Sequence, residues 1–385
     1  MPNPVPDDVD RRTFLAATGA TIVASTAVQA QQEKPLAPTD KQSHDATMPA
    51  PPQKKAGWAI VGLGKLALEQ VLPAFARAHR SQPVALVSGH AEKAKQVAAS
   101  FEIDPKAIYS YDNYDGLKDN PAVDVVYIIL PNSMHAEYTV RALKAGKHVL
   151  CEKPMASDVA ECEQMIAAAK TAKRKLMIAY RLRYEPFHIT AIEACRKGTL
   201  GKLKVITATN SQIVQAPNIR LSKTLAGGPV GDVGIYCLNA ARYLTGEEPT
   251  EVTAIAHQPK DDPRFREVPE SVAFTLRFPS GVIANLDCSF GTAETRLCRI
   301  IGTEGILNLD NAFAYRGQRF TVQTAKQKAE VKIAEVDHFA AEMDYFSECV
   351  LDGKQLRTPG EEGLADMRVI AAIAESIKTG KAVKI

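Results

Sequence analysis

The sequence predicts an α/β protein in which a doubly wound parallel sheet is followed by an α+β domain with an open, mostly antiparallel sheet. Between residues 57 and 180, short apolar runs alternate with helical patterns, which is typical of parallel strands joined by helices. Between residues 251 and 301, four runs of strand composition follow one another closely, which is typical of antiparallel strands. The chain has 385 residues, of which 45% are hydrophobic, so it is long enough for two such domains.

Residues 1–30 have the pattern of an export signal. Arg11 and Arg12 precede a moderately apolar run, and Val28-Gln29-Ala30 offers small residues where a signal peptidase would cut. Paired arginines are typical of the twin-arginine pathway, which carries folded proteins to the periplasm, and a chance arginine pair is the alternative. The run is too short and too polar to span a bilayer, so we expect no membrane anchor after cleavage. Residues 31–56 are rich in proline and lack a hydrophobic period, which predicts a flexible arm.

Residues 57–180 form the first predicted domain. Strands that are buried on both faces are continuous apolar runs, and the run from Gly57 to Val61 opens the sheet. The other predicted strands are 84–88, 108–111, 123–130, 148–151 and 175–179. Helical periodicity predicts one helix through Leu68 and Phe75 and further helices at 91–101, 136–145 and 159–171.

Residues 181–385 form the second predicted domain, with a boundary near Tyr180. A helix at 185–197 and a strand at 202–210 lead into strands at 251–257, 272–278, 282–290 and 296–301, which turn signals such as Pro279-Ser280-Gly281 separate. Helices are also predicted at 232–244, 339–351 and 364–378. Whether the last helix packs back on the first domain stays open.

Charge and cysteine usage narrow the choice of partners. Lysine and arginine number 47 against 44 aspartates and glutamates, and no basic stripe with interleaved aromatics is present, so we expect no nucleic-acid partner. The seven cysteines are scattered without a Cys-x-x-Cys motif, which predicts neither a metal site nor a disulfide framework. This usage suits a protein that folds in the reducing cytoplasm before export. The expected partner is therefore a small molecule.

The segment Gly62-Leu63-Gly64-Lys65-Leu66-Ala67 fits the G-x-G-x-x-G/A fingerprint of dinucleotide binding. It directly follows the first strand and opens a helix. The first glycine permits a tight turn, the second lets the backbone approach a pyrophosphate, and Ala67 keeps helix and strand close. The alternative is a glycine turn without a ligand.

The end of the second strand distinguishes the two nicotinamide dinucleotides. A site for NAD usually has a carboxylate there, which holds the ribose 2′-hydroxyl. The segment Leu86 to His90 has none, whereas Ser88 can donate a hydrogen bond and Lys93 can meet a 2′-phosphate. We therefore predict NADP; the alternative is that Ser88 only belongs to a turn and Lys93 is a solvated charge.

Two segments carry residues suited to proton transfer. Glu152-Lys153-Pro154 follows a buried strand at the edge where doubly wound sheets bind ligands. Asp232 and Tyr236 are four residues apart where a glycine-rich loop enters a helix, so they share one face. A phenol, with a reference pKa of about 10, needs a nearby cation to act as a base, and Lys153 could be that cation while Asp232 orients substrate or lysine. Taken singly, the tyrosine could be a core aromatic, the aspartate a helix cap and the lysine a surface charge.

The glycine fingerprint, the Glu-Lys-Pro triplet and a Gly-Gly-x-x-x-Asp-x-Gly-x-Tyr motif occur in an order that resembles the family of glucose-fructose oxidoreductases, inositol dehydrogenases and MocA proteins. The likeness runs from residue 57 to the C-terminus. It implies that Tyr236 is the catalytic acid and base with Lys153 and Asp232 as partners, and that Ser88 and Lys93 bind the 2′-phosphate. The cofactor contacts that it implies are Gly62, Leu63, Gly64, Lys65, Leu66, Ser88, Lys93, Leu130, Pro131, Asn132, His135, Glu152, Lys153 and Arg181.

The resemblance carries three further expectations. Tyrosine instead of histidine at position 236 favours the sugar oxidoreductase and diol dehydrogenase branches of the family. The Lys153-Pro154 peptide bond is expected to be cis. Relatives with an N-terminal arm wrap it over the cofactor of a neighbouring subunit, which implies a homo-oligomer, a dimer or tetramer, with arm exchange.

Together these observations predict a periplasmic sugar oxidoreductase that keeps NADP tightly bound. The periplasm holds no pool of free NADP, so an exported enzyme must regenerate its cofactor in place. We expect it to oxidise a glucose-like aldose at C1 to an aldonolactone and to pass the hydride to fructose or another aldose, giving a polyol. The alternatives are an NADP-dependent sugar or dihydrodiol dehydrogenase that releases its cofactor, and a non-catalytic sugar- or nucleotide-binding module.

Overall fold

The computed structural model of the protein describes residues 54–326 and 328–385. The predicted export signal at 1–30 lies outside these ranges, and so does the predicted arm apart from its last three residues. Both remain predictions. Ala56 already belongs to the first strand.

The first sheet consists of six parallel strands, all of which the sequence predicts. They are β1 (Ala56–Val61), β2 (Ser81–Val87), β3 (Ile108–Tyr109), β4 (Val125–Ile128), β5 (His148–Glu152) and β6 (Leu176–Ala179). Their spatial order is β3-β2-β1-β4-β5-β6. All residues of β1 and β4 are buried, as expected of strands that helices cover on both faces. The order reverses between β1 and β4, which is where doubly wound sheets bind ligands at the carboxyl ends of the strands.

Helices connect these strands. An irregular helix follows β1 and consists of a π turn at Ala67–Val71, α1 (Leu72–Ala74) and a 3-10 turn at Phe75–Arg77. Pro73 has no N–H to donate, which interrupts the regular hydrogen-bond ladder there. The remaining helices of this half are α2 (Ala91–Ser100), α3 (His135–Lys144) and α4 (Val159–Ala172), with 3-10 turns at Pro105–Ala107, Tyr114–Asp119 and Asn132–Met134.

The second sheet has nine strands. They are β7 (Leu203–Ile213), β8 (Glu251–His257), β9 (Ser271–Arg277), β10 (Ile283–Ser289), β11 (Gly291–Gly302), β12 (Gly305–Asp310), β13 (Arg319–Thr324), β14 (Lys328–Val331) and β15 (Val383–Lys384). Their order is β14-β13-β12-β11-β7-β10-β9-β8-β15, and only β10 and β7 run parallel. The predicted fold class, a doubly wound sheet followed by a mostly antiparallel one, is confirmed.

The last two of the four helices of the second half pack on the first domain. The four helices are α5 (Pro186–Arg196), α6 (Ile235–Thr245), α7 (His338–Leu351) and α8 (Gly360–Thr379). In α7, Ser347 accepts a hydrogen bond from the Trp58 indole of β1 at 3.1 Å, and the Phe346 ring meets that indole edge to face. In α8, a side chain on Gly363 would come within 2.8 Å of Met155, so glycine permits the close approach. The last helix therefore packs back on the first domain, a point that the sequence leaves open.

Glu342 in α7 is a buried carboxyl group without a hydrogen-bond partner among the described residues. Burial, and then the charge of Glu152, raise the pKa of Glu342 far above its ordinary value, so the folded protein holds it neutral. The unfolded chain ionises this group above about pH 4.3, and folding stability is lost as the pH rises from there.

Replacing Glu342 by glutamine removes this ionisation and keeps the shape. We expect the free energy of unfolding to exceed that of the wild type by an amount that grows by up to about 1.4 kcal/mol per pH unit above pH 4.3. Denaturant unfolding between pH 4 and 8 measures it. A constant difference across that range would contradict the assignment of a neutral Glu342.

All seven cysteines are unpaired thiols. Within the described ranges, His, Cys, Asp and Glu side chains form no group of three that could bind a metal ion. No helix in this part of the chain combines the length and apolar character needed to cross a bilayer.

Candidate active site

A cleft at the carboxyl ends of β1 and β4 collects the predicted site residues. Its volume is about 990 Å³, and residues of both halves of the chain line it. The predicted residues along the cleft are Gly62, Leu63, Gly64, Lys65, Leu66, Ser88, Lys93, Leu130, Pro131, Asn132, His135, Glu152, Lys153, Arg181, Asp232 and Tyr236. Segments as far apart in sequence as the glycine fingerprint and α6 therefore face one another.

The glycine loop fits the pyrophosphate of a dinucleotide. Gly62 has a φ of +93°, and its N–H donates to the Val87 carbonyl at 3.0 Å. A Cβ atom at Gly62 would lie 2.2 Å from the Ile129 carbonyl oxygen, so only glycine is tolerated. A Cβ atom at Gly64 would meet no protein atom within 4 Å, which leaves the open approach that a phosphate needs.

Replacing Gly62 by alanine is expected to affect stability, whereas replacing Gly64 by alanine is expected to affect nucleotide binding. Gly62→Ala should lower the free energy of unfolding by about 2–6 kcal/mol, since it adds a strained backbone and a backbone contact, each costing about 1–3 kcal/mol. Gly64→Ala should leave thermal stability nearly unchanged and weaken dinucleotide binding, because its methyl group enters the ligand's space. Thermal unfolding and nucleotide titration of both variants separate the effects. Equal nucleotide affinity of Gly64→Ala and wild type would contradict this placement of the pyrophosphate.

The residues lining the cleft beyond β2 are suited to an anion. Ser88, Gly89, His90, Lys93 and Tyr111 lie there, and none carries a carboxylate. The Ser88 hydroxyl accepts the His90 backbone N–H at 3.1 Å, and Lys93 Nζ donates to the Leu63 carbonyl at 3.4 Å. The hydroxyl and the ammonium predicted for the 2′-phosphate therefore lie on the same side of the glycine loop.

The loop after β4 is fastened to its neighbours by polar side chains. Asn132 Nδ2 donates to the Ala226 carbonyl at 2.8 Å. The buried His135 ring has Nδ1 2.8 Å from the Pro154 carbonyl and Nε2 2.9 Å from the Leu130 carbonyl. His135 thus joins the loops that follow β4 and β5, and burial lowers the pKa of its imidazole.

Glu152 and Pro154 shape the segment around the predicted lysine. The Glu152 carboxylate accepts the buried Tyr127 hydroxyl at 2.8 Å, and burial raises the pKa of Glu152. The Lys153-Pro154 peptide bond is cis, as expected. Glu152 therefore turns its carboxylate towards the core of the first domain.

Lys153 contacts both of its predicted partners. Its Nζ donates to the Asp232 carbonyl at 2.7 Å, lies 3.4 Å from Asp232 Oδ1, and is 4.8 Å from the centroid of the Tyr236 ring. Burial acts to lower the pKa of Lys153, but the negative charges available at Tyr236, Asp232 and Glu152 outweigh it and raise this pKa above its usual value. Lys153 is therefore a stable cation beside the phenol.

Asp232 has a second cationic partner, which the sequence does not predict. Arg220 Nε donates to Asp232 Oδ2 at 2.6 Å. Burial acts to raise the pKa of Asp232, but Lys153 and Arg220 outweigh it and hold this pKa below its usual range. Arg220 belongs to a short 3-10 turn, Ile219–Leu221, in an irregular loop, so no motif or period singles it out.

The Arg181 guanidinium lies over the rings of Tyr236 and Tyr315. It is 5.1 Å from the centroid of the Tyr236 ring and 4.5 Å from that of Tyr315. The Phe313 ring also packs against Tyr236, with centroids 6.1 Å apart. The sequence does not predict Phe313 and Tyr315, because they lie in an irregular segment between β12 and β13.

Matches to family models identify the chain. Residues 56–180 match the model of an oxidoreductase family with an NAD-binding Rossmann fold, and residues 188–308 match the GFO/IDH/MocA C-terminal domain. The chain belongs to the Gfo/Idh/MocA family. It is therefore an oxidoreductase with a dinucleotide-binding Rossmann domain, and the predicted family, enzyme class and nicotinamide cofactor are confirmed.

Three relatives within or near this family illustrate the likeness. A D-xylose 1-dehydrogenase (NADP+) of Haloarcula marismortui is 32% identical over 337 residues, which are 85% of this chain and 92% of the relative. A trans-1,2-dihydrobenzene-1,2-diol dehydrogenase of Homo sapiens is 30% identical, over 66% of this chain and 74% of its own. The crystal structure of an aldose-aldose oxidoreductase from Caulobacter crescentus, complexed with glycerol, superposes with a TM-score of 0.84 at 42% identity. The match covers 86% of this chain and 100% of that structure.

Proposed function

We propose that this Gfo/Idh/MocA protein is an NADP-dependent sugar oxidoreductase in which Tyr236 exchanges the proton of a sugar hydroxyl. One observation carries the proposal. Lys153 donates to the Asp232 backbone carbonyl, lies 3.4 Å from the Asp232 carboxylate and is 4.8 Å from the centroid of the Tyr236 ring at the edge of the dinucleotide cleft, so a cation held by Asp232 faces the phenol. A phenol with such a cation is able to act as a base near neutral pH.

The chemistry divides between cofactor and chain. When bound, the nicotinamide accepts the hydride from a sugar carbon or returns it. Tyr236 takes the hydroxyl proton as the carbonyl forms, and it gives a proton back to the carbonyl oxygen in the reverse direction. Lys153 stabilises the phenolate, and Asp232, fixed by Arg220, holds the ammonium in place. The sugar thus loses one hydride from the oxidised carbon and one proton from its hydroxyl oxygen, and no further reactant is needed.

NADP is proposed over NAD on two grounds. Ser88 and Lys93 supply a hydroxyl and a cation beyond β2, where no carboxylate lines the cleft. The Haloarcula relative is named for NADP+. Glucose-like aldoses are proposed as hydride donors because the Caulobacter structure and the Haloarcula relative are both named for aldoses.

A finer proposal concerns the second sugar. We infer that the enzyme keeps its NADP and returns the hydride to another sugar, so that an aldonolactone and a polyol are formed. The arginine pair at residues 11–12 supports export with the cofactor already bound, because free NADP would then be absent from the surroundings. The competing function is a dehydrogenase that releases its cofactor, which the likeness to the diol dehydrogenase favours.

Two further proposals, on assembly and location, rest on the family resemblance and on the N-terminal sequence. We expect a periplasmic homo-oligomer without a membrane anchor, in which the N-terminal arm of one subunit reaches its neighbour. Light scattering of the chain with and without residues 31–53 tests the arm's part in assembly. Fractionation of cells tests export, and the Arg11→Lys, Arg12→Lys double variant should stay in the cytoplasm if the twin-arginine signal acts.

Steady-state assays with a panel of aldoses and diols test the proposed activity. With NADP supplied, we expect an aldose to form the reduced nicotinamide absorbance band up to the amount of bound cofactor, sustained turnover once a second sugar is present, and much less of both with NAD. Binding of NADP without turnover of any sugar or diol would instead support a non-catalytic binding module.

A further inference from the structure

We propose that Arg181 is a positioning residue that acts through Tyr236: it supplies the buried, permanent positive charge against which the phenolate forms. The inference rests on the proposed function, in which Tyr236 exchanges the proton. It assigns Arg181 a part different from the cofactor contact that the family resemblance implies.

Arg181 is held rigidly between the two halves of the chain. It opens the 3-10 turn Arg181–Tyr184 directly after the first sheet, and its side chain is buried. Nη2 donates to the Phe313 carbonyl at 2.6 Å, and Nη1 donates to the Ala314 carbonyl at 3.2 Å. The guanidinium therefore fastens the segment between β12 and β13 to the end of the Rossmann sheet.

The third polar neighbour of Arg181 is neutral. His338 Nδ1 lies 2.9 Å from Arg181 Nη1. Burial, and then the charge of Arg181, lower the pKa of His338 to about 4, so its uncharged ring accepts the hydrogen bond. His338 thus neither repels nor neutralises the guanidinium at neutral pH.

Among the described residues, Arg181 has no carboxylate within ion-pair distance. Its direct neighbours are two carbonyl groups, the neutral His338 and the rings of Tyr236 and Tyr315, and its Nε has no hydrogen-bond partner. Buried charges are normally paired, because an unpaired one is costly. A phenolate at Tyr236, whose ring centroid lies 5.1 Å from the guanidinium, would be the missing counter-charge.

Lys153 alone does not supply this charge. Its ammonium is shared with Asp232, which also pairs with Arg220. A guanidinium does not lose its proton in proteins, so Arg181 stays positively charged beside the Tyr236 ring. The other titratable groups that interact with Tyr236 or Arg181 are Tyr315, Glu152, Tyr127 and Glu342.

The pH dependence of kcat/KM tests this role, with NADP affinity measured in parallel. In Arg181→Met we expect the limb of the pH profile of kcat/KM at which the proton acceptor loses its proton to move up by about one pH unit or more. We also expect kcat/KM at pH 7 to fall about tenfold or more. The NADP dissociation constant should change less than about threefold. Arg181→Lys keeps a positive charge and should move this limb part of the way back towards its wild-type pH. It replaces Arg181→Met in the experiment if the methionine variant does not fold.

Arg183→Met is the matched control. Arg183 lies in the same turn, and its guanidinium is 5.2 Å from the ring of Tyr243, another tyrosine of α6, outside the cleft. This control should keep the wild-type pH profile.

An unmoved limb in Arg181→Met together with a much weaker affinity for NADP would overturn the inference in favour of a cofactor contact. An equal change of the profile in Arg183→Met would overturn it in favour of a merely structural role. Failure of the proposed function is distinguishable, because Tyr236→Phe would then retain its turnover whatever Arg181 does.

Discussion

Tyr236→Phe is expected to lower kcat/KM for the best aldose by about 10²- to 10⁴-fold, the usual contribution of a positioned proton donor and acceptor. The substitution removes only the hydroxyl group. The ring contacts with Phe313 and with the two cations Lys153 and Arg181 remain. Stability and NADP affinity should therefore stay close to those of the wild type, and the loss should appear mainly in kcat.

Tyr243→Phe is a suitable control for this experiment. Tyr243 lies in the same helix, α6, and its buried hydroxyl has no hydrogen-bond partner among the described residues. Removing that hydroxyl should leave turnover unchanged. If Tyr236→Phe also kept wild-type turnover, the proton would pass through another group, and the assignment of Tyr236 would be wrong.

Lys153→Met is expected to have an effect of similar size. It removes the ammonium that lies 4.8 Å from the Tyr236 ring centroid and leaves the Asp232 carboxylate with Arg220 as its cation. We expect kcat/KM at neutral pH to fall by about 10²-fold or more, and activity to recover partly at higher pH, because the phenol must now lose its proton without the lysine's charge. Assays of initial rate from pH 6 to 10 measure both effects.

Lys147→Met separates this effect from the general cost of removing a lysine that is largely enclosed by the protein. Lys147 is buried, and its Nζ donates to the Asn120 carbonyl at 2.7 Å, the same distance as from Lys153 to the Asp232 carbonyl. It does not line the cleft. Lys147→Met should lose stability without any change in the pH profile, whereas a Lys153→Met profile identical to the wild type's would contradict the proposed role.

The first domain could be predicted closely because its strands and its glycine loop are marked by short, continuous sequence patterns. Strands buried on both faces are continuous apolar runs, so the run 57–61 predicts β1 to within one residue of Ala56–Val61. The glycine fingerprint is equally informative, since a φ of +93° and a carbonyl 2.2 Å from an added Cβ leave Gly62 no substitute.

The second domain was predicted less completely. Strand β8 is found at the predicted residues, Glu251–His257, but β12 to β15 were not predicted. For β12 and β13 a period-two signal was available, since Leu307, Leu309, Phe320 and Val322 alternate with more exposed residues. For β14 there was none, because Lys328–Val331 is a short, mostly exposed edge strand.

Site residues in sequence motifs could be predicted, and those in irregular segments could not. Lys153, Asp232 and Tyr236 stand in motifs, and the structure brings them together. Arg220 and Tyr315 come from irregular segments, whose conformation depends on long-range contacts that no period encodes. The packing of α7 on β1 was also beyond the sequence, since amphipathicity identifies a buried face but not the element that covers it.

We propose that the protein transfers hydride between sugars through NADP, and one titration of the purified protein tests this transfer. The protein is purified without added nucleotide, its absorbance is recorded, glucose is added, and fructose or another aldose follows once the signal settles. We expect the band of reduced nicotinamide to appear with the first sugar and to disappear with the second. A band that persists after every second sugar, or no band from any aldose even after NADP is supplied and shown to bind, would contradict this proposal.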